Sequence, residues 1–117
     1  MNTTEIGDFA EQLAADYLEE HGYHVITRKY AYKKLGEIDI IASIDDTLVF
    51  VEVRHRTSTA YGTPEASLTP TKLRRIRSTA LMWLTIMRRH GEPVRFDVVA
   101  VDLAGGHPVL RHLQGCF

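Results

Sequence analysis

Gly36-Glu37-Ile38-Asp39-Ile40-Ile41-Ala42 and, after the polar stretch Ser43 to Thr47, Leu48-Val49-Phe50-Val51-Glu52-Val53-Arg54 decide how this chain folds. Two β-branched runs joined by a short turn read as a β-hairpin. Alternation in the second run sets Leu48, Phe50, Glu52, Arg54 and Arg56 on one face and Val49, Val51, Val53 and His55 on the other, which the valines claim for a core. On the first face charge interrupts an otherwise apolar run, and in the partner strand Glu37 and Asp39 share a face in the same way. Charges do not sit inside such strands without compensation.

Counting outward from a turn at Asp45-Asp46 sets Glu37 against Arg54, an ordinary ion pair, and Asp39 against Glu52, two like charges directly opposed. Such a pair destabilises a sheet unless something positive lies between its members. Two hard oxygen donors converging from adjacent strands suit Mg²⁺ or Mn²⁺, which take one or two protein carboxylates and leave other positions for water and phosphate. Arg54, on the same face, is placed to hold a phosphate or to stabilise charge developing on it. A register shifted by one residue would instead keep Asp39 and Glu52 apart and pair Glu52 with Arg54 or Arg56.

Around the hairpin, residues 5 to 21 repeat apolar side chains at helical spacing, with Gly22 as a stop. Glu11 falls at the border of that apolar face, where an acid can reach inward or remain a rim carboxylate. Tyr23 to Thr27 reads as a strand and Arg28 to Leu35 as a polar connection. Thr69-Pro70 opens a second helix that extends to about His90, closed by Gly91. Arg95 to Asp102 and Val109 to Leu113 read as the last strands. The order α-β-β-β-α-β-β implies an α/β domain, a mixed sheet flanked by helices, over residues 1–117.

The length of 117 residues suits one core, and 44% hydrophobic with 25% charged residues excludes collagen-like, disordered and disulfide-scaffold classes. The single cysteine, Cys116, rules out an internal disulfide and fits a reducing, cytoplasmic setting. No apolar run approaches the ~18 residues of a membrane span, and the acidic N-terminal segment is unlike a signal peptide. The net charge of -1 conceals segregation. Residues 1–20 carry acids without a base, whereas 69–90 carry Lys72, Arg74, Arg75, Arg77, Arg88 and Arg89 without an acid. Lys72 lies near the border of the second helix's core face, formed by Leu73, Ile76, Ala80, Trp83, Leu84 and Met87. Arg74, Arg75 and Arg89 fall on its outer side as candidate phosphate contacts, and Met82 and Ile86 share that side as a possible homodimer surface.

The hairpin, together with Tyr61-Gly62-Thr63-Pro64-Glu65-Ala66, Arg95-Phe96-Asp97-Val98-Val99, and Gly7, Glu11, Ala14 and Tyr17-Leu18, resembles the bacterial YraN family nearly end to end. The resemblance implies a restriction-endonuclease-like core similar to Holliday-junction resolvases. It also implies a catalytic set of Glu11, Asp39, Glu52 and Arg54, in which Asp39 and Glu52 hold Mg²⁺ or Mn²⁺. Arg54 stands where that superfamily has lysine, and arginine cannot give up a proton near neutral pH. The leading expectation is a metal-dependent nuclease on branched or structured DNA. The alternatives are a nucleic-acid-binding module of the same fold without chemistry, and a protein that docks a partner through the Met82/Ile86 surface.

Overall fold

In the computed structural model, which describes residues 1–117, the hairpin forms between β2 (Glu37–Ile44) and β3 (Thr47–Arg56). Ile40 faces Val51, Ile41 faces Phe50 and Ala42 faces Val49, the register set by a turn at Asp45-Asp46. Before the hairpin come α1 (Thr3–Glu20) and β1 (His24–Ala31); after it a short 3₁₀ turn (Pro64–Ser67), α2 (Pro70–Met87), β4 (Val94–Asp102) and β5 (Val109–Leu113). One sheet orders the strands β1-β2-β3-β4-β5. β3 and β4 run parallel, with α2 as the crossover such a pair requires, and all other neighbours are antiparallel. The α/β class and the element order expected from sequence are both observed.

Each face of the sheet is covered by one helix. Ala10, Ala14, Ala15 and Leu18 of α1 pack with Tyr23 on Ile40, Ala42, Val49, Val51, Val99 and Val101. Ile76, Ala80, Trp83 and Leu84 of α2 pack on Ile38, Ile41, Leu48 and Phe50. Phe50, fully buried, meets Trp83 edge-on and stacks on Phe96. With both faces covered, the central strands can be almost continuously apolar, and polar residues inside them stand out.

Two boundaries differ from the sequence reading. β1 runs to Ala31 rather than Thr27, because Arg28 and Lys29 are ion-paired to α1 and Tyr30 packs on the α2-side core. α2 ends at Met87 rather than near His90: Arg88 takes the left-handed conformation (φ 56°), and the Arg89 N–H closes the helix on the Leu84 carbonyl at 2.9 Å. The helix face shifts accordingly, with Thr79 fully buried and Met87 48% exposed. At the start of α1, Asn2 and Glu5 form a reciprocal capping box.

Candidate metal and phosphate site at one end of the sheet

The β2–β3 ladder stops at Ile40 and Val51. Just beyond, the Val53 N–H donates to Asp39 Oδ2 at 2.8 Å, so a side chain supplies the acceptor where the strands part. Across from Asp39, Lys29 of β1 holds a left-handed φ of 53°, a conformation that costs a non-glycine residue about 1 kcal/mol. Alternation slips here: Ile38 packs on the α2 side and Ile40 on the α1 side. Asp39 therefore lines a hollow of about 360 Å³ on the α1 side, with Thr4, Gly7, Glu11, Arg54 and His55 among its walls. Its carboxyl remains within hydrogen-bonding reach of Glu52. Asp39 and Glu52 are not paired in the ladder, which ends one residue earlier; they interact where the strands part.

Glu52 is 9% exposed. Burial, and then the neighbouring Asp39 carboxyl, push its pKa up to about 9, against the opposing charges of Arg54 and Lys72. The pair therefore retains a proton near neutral pH. Arg54 Nη1 stands 3.8 Å from Glu52 Oε2, and its Nε and Nη2 both donate to Ser67 Oγ, at 3.0 and 2.6 Å. Ser67 in turn donates to the Pro64 carbonyl at 3.0 Å, which fixes the guanidinium beside the carboxyls. Nothing in the spacing from Arg54 to Ser67 advertised that contact. Lys72 is exposed in the first turn of α2, and Thr4 and Gly7 belong to the first turns of α1. Both helix N-termini thus face this end of the sheet, where their dipoles favour anions.

Other expected residues are placed differently. Glu11 is 3% exposed, but its carboxylate is clamped by Arg28 (2.6 Å) and Lys29 (3.3 Å), and no group of three acids, histidines or cysteines is arranged to hold a metal. Glu11 therefore walls the hollow as an ion-paired residue and not as a third ligand. Glu37 is exposed and makes no ion pair, because the opened ladder never brings it to Arg54. Arg89, past the helix end, is bound bidentately by Glu92 at 2.5 and 2.7 Å and lies over Trp83, which removes it from the set of free phosphate contacts.

Arg74 and Arg75 do project from α2, and with Lys34, Thr71 and Ser78 they line a hollow of about 410 Å³ that contains no acid. The turn bearing Lys34 lies close to the helix because Gly36 (φ 149°) has no side chain: a Cβ there would come within 3.3 Å of Arg75 Cβ and Thr79 Oγ1. The sequence showed Lys33-Lys34 as a basic run, but not its contact with α2. On the outer side of α2, Ile86 is exposed and Met82 half-buried, with Leu81 and Met87 extending the apolar strip.

A third buried acid had no role assigned from the sequence. Asp97 of β4 is fully buried. It accepts from Arg95 Nε (2.9 Å) and Nη2 (2.8 Å) and from the Gly115 N–H (2.9 Å), and it bonds His112 Nε2 at 2.7 Å. His112 Nδ1 meets Tyr17 Oη at 3.2 Å, and Arg95 also donates to Tyr23 Oη at 2.6 Å. Although burial alone would raise it, the hydrogen bonds from His112, Arg95 and Gly115 hold the Asp97 carboxyl at about 2.

No helix is long and apolar enough to cross a membrane. A family profile described as "Uncharacterised protein family UPF0102" matches residues 10–101. Among similar proteins, a UPF0102 protein of Rhodococcus opacus is 44% identical over 113 residues, covering 96% of this chain and 95% of that one. One of Geobacter metallireducens is 38% identical over 117 residues, covering 100% and 95%. With a carboxyl pair at an opened hairpin, cations around it and likeness along nearly its whole length, the chain belongs to the UPF0102 family.

Proposed function

We propose that this protein is a divalent-cation-dependent phosphodiesterase acting on branched or otherwise structured DNA. The observation that carries the reading is the Asp39–Glu52 pair, two carboxyls in mutual reach with Arg54 fixed beside them. Their chemistry fits Mg²⁺ or Mn²⁺: hard oxygen donors, two in number, that share a proton a divalent cation would displace. Bound there, such an ion would polarise the phosphoryl oxygen and offset its charge. Arg54, always protonated, orients a phosphate oxygen but takes no proton from water. Lys72 adds positive charge from the start of α2, and Lys34, Arg74 and Arg75 hold flanking phosphates, which gives affinity without reading sequence.

A second reading keeps the binding and drops the chemistry. It draws on Arg54, which occupies the lysine position of the superfamily that the sequence resembles and gives its Nε and Nη2 to Ser67. The Leu81/Met82/Ile86 strip serves a partner or a second copy in either case.

Cleavage of junction, flap and linear DNA with Mg²⁺ or Mn²⁺, comparing wild type with Asp39→Ala and Glu52→Ala, decides between the two. Loss of at least about 100-fold in both variants is expected. Undiminished cutting by either variant overturns the proposed site. DNA bound with a steep salt dependence but never cut selects the non-catalytic reading.

A further inference from the structure

The segment Thr57–Thr63 leaves β3 just beyond Arg54 and carries Tyr61, which is 93% exposed, more than any other large apolar side chain. Its backbone is nevertheless tied down. Arg56 grips the Gly62 carbonyl at 2.7 Å while anchored to Asp102 at 2.5 Å, and the Ala66 N–H closes on the Thr63 carbonyl at 3.1 Å. An aromatic ring held out by a braced loop is presented to something.

Its surroundings indicate what. A hollow of about 270 Å³ beside Tyr61 is lined by His55, Thr57, Ser58, Thr63 and Ser67 and contains no acid. His55 also walls the hollow that holds Asp39 and Arg54, so the two spaces meet at that residue. Hydroxyls, an imidazole and one open aromatic face suit a sugar, a phosphate and a base more than an apolar protein surface. Inside a duplex each base is already stacked on both sides, so an isolated aromatic face gains contact only with an unpaired base or an end.

We propose that Tyr61 is a stacking platform for an unpaired base next to the phosphate held at the Asp39–Glu52 pair, which makes unpaired nucleotides the feature of structured DNA that this protein selects. The inference rests on the proposed function and specifies its substrate. Tyr61 acts here as a specificity residue and touches no reacting atom.

The test measures binding in EDTA, without cleavage, by fluorescence anisotropy on a forked DNA and a blunt duplex of equal length. Wild type, Tyr61→Ala and Tyr61→Phe are compared after circular dichroism has matched their folds. Tyr61→Ala is expected to weaken the fork roughly 5- to 100-fold and the duplex less than about two-fold, with Tyr61→Phe near wild type, since base–aromatic stacking contributes about 1–3 kcal/mol. A 2-aminopurine at the first unpaired position should lose fluorescence with wild type and Tyr61→Phe, and not with Tyr61→Ala. Binding to the fork that is indifferent to Tyr61, or equal losses on fork and duplex, overturns this inference alone. If wild type binds neither DNA, in EDTA or with Mg²⁺ present, the parent reading falls and this one falls with it.

Discussion

Asp97 and Glu52 are near neighbours: β3 and β4 pair Val51 with Asp97 and Glu52 with Val98, so one position of register separates them. The sheet turns them to opposite sides. Asp97 meets the Tyr17–His112 side beneath α1, while Glu52 shares the face of Phe50 and feels Lys72 of α2. Both are buried acids, yet one titrates at about 2 and the other at about 9. Burial pushes both upward, so the partners decide the sign. Asp97 collects donors from two side chains and a backbone amide; Glu52 faces another carboxyl and a guanidinium 3.8 Å away. The first acid is satisfied within the chain and serves the fold. The second is left short of positive charge, which is what supports the proposed cation site.

The contrast can be broken most sharply at Asp97. Asp97→Ala leaves Arg95, His112 and the Gly115 amide without their shared acceptor and is expected to cost about 3–5 kcal/mol in urea unfolding. A cost below about 1 kcal/mol would show that the network is ornamental. The same acid sets an acid limit. Its pKa is lowered in the folded chain, so its contribution is present above the ordinary Asp value of 3.8 and is lost as pH falls toward about 2. In Asp97→Asn, unfolding between those values should flatten.

Glu52→Gln should act in the opposite direction, stabilising by about 1–2 kcal/mol at pH 8 to 9 and raising Tm by a few degrees. Here the folded pKa is raised, so the wild-type contribution is complete below the ordinary Glu value of 4.5 and is lost as pH rises through about 9. The advantage of the variant should grow across that window and then level off; a variant less stable than wild type at pH 9 contradicts the comparison. The smallest effect is expected from Mg²⁺. At ten times its dissociation constant it would add about 1.4 kcal/mol to wild type and less to Glu52→Gln, whereas an equal shift in both would place the ion elsewhere.

Much of the carboxyl pair was legible because hairpin register follows from turn position, and Asp45-Asp46 marked the turn. What the register could not show is that the ladder ends at Ile40 and Val51, which cost the expected Glu37–Arg54 pair and turned Asp39 toward α1. Glu11 at the border of the helix face could reach inward or stay at the rim; it is buried, but its clamp by Arg28 and Lys29, the latter in a left-handed conformation, is signalled by no residue type there. The Asp97 network joins Tyr17 to His112 across 95 positions and has no local pattern at all. Periodicity and turns report local geometry, whereas polar networks are built by the closing of the sheet.

Both helices begin at the end of the sheet where Asp39 and Glu52 meet, and the exposed Lys33, Lys34, Lys72, Arg74 and Arg75 lie outside every ion pair. Glu19 and Glu20 stand at the far end of α1, and Asp45 and Asp46 at the far turn of the hairpin, all exposed. A chain of net charge -1 therefore carries little monopole but a lengthwise electric moment. In the field of a polyanion such a molecule experiences more torque than pull. Under the proposed function it would turn its open end toward the phosphates before contact without being held by every stretch of duplex it passes, and so a near-neutral total is compatible with correctly oriented encounter.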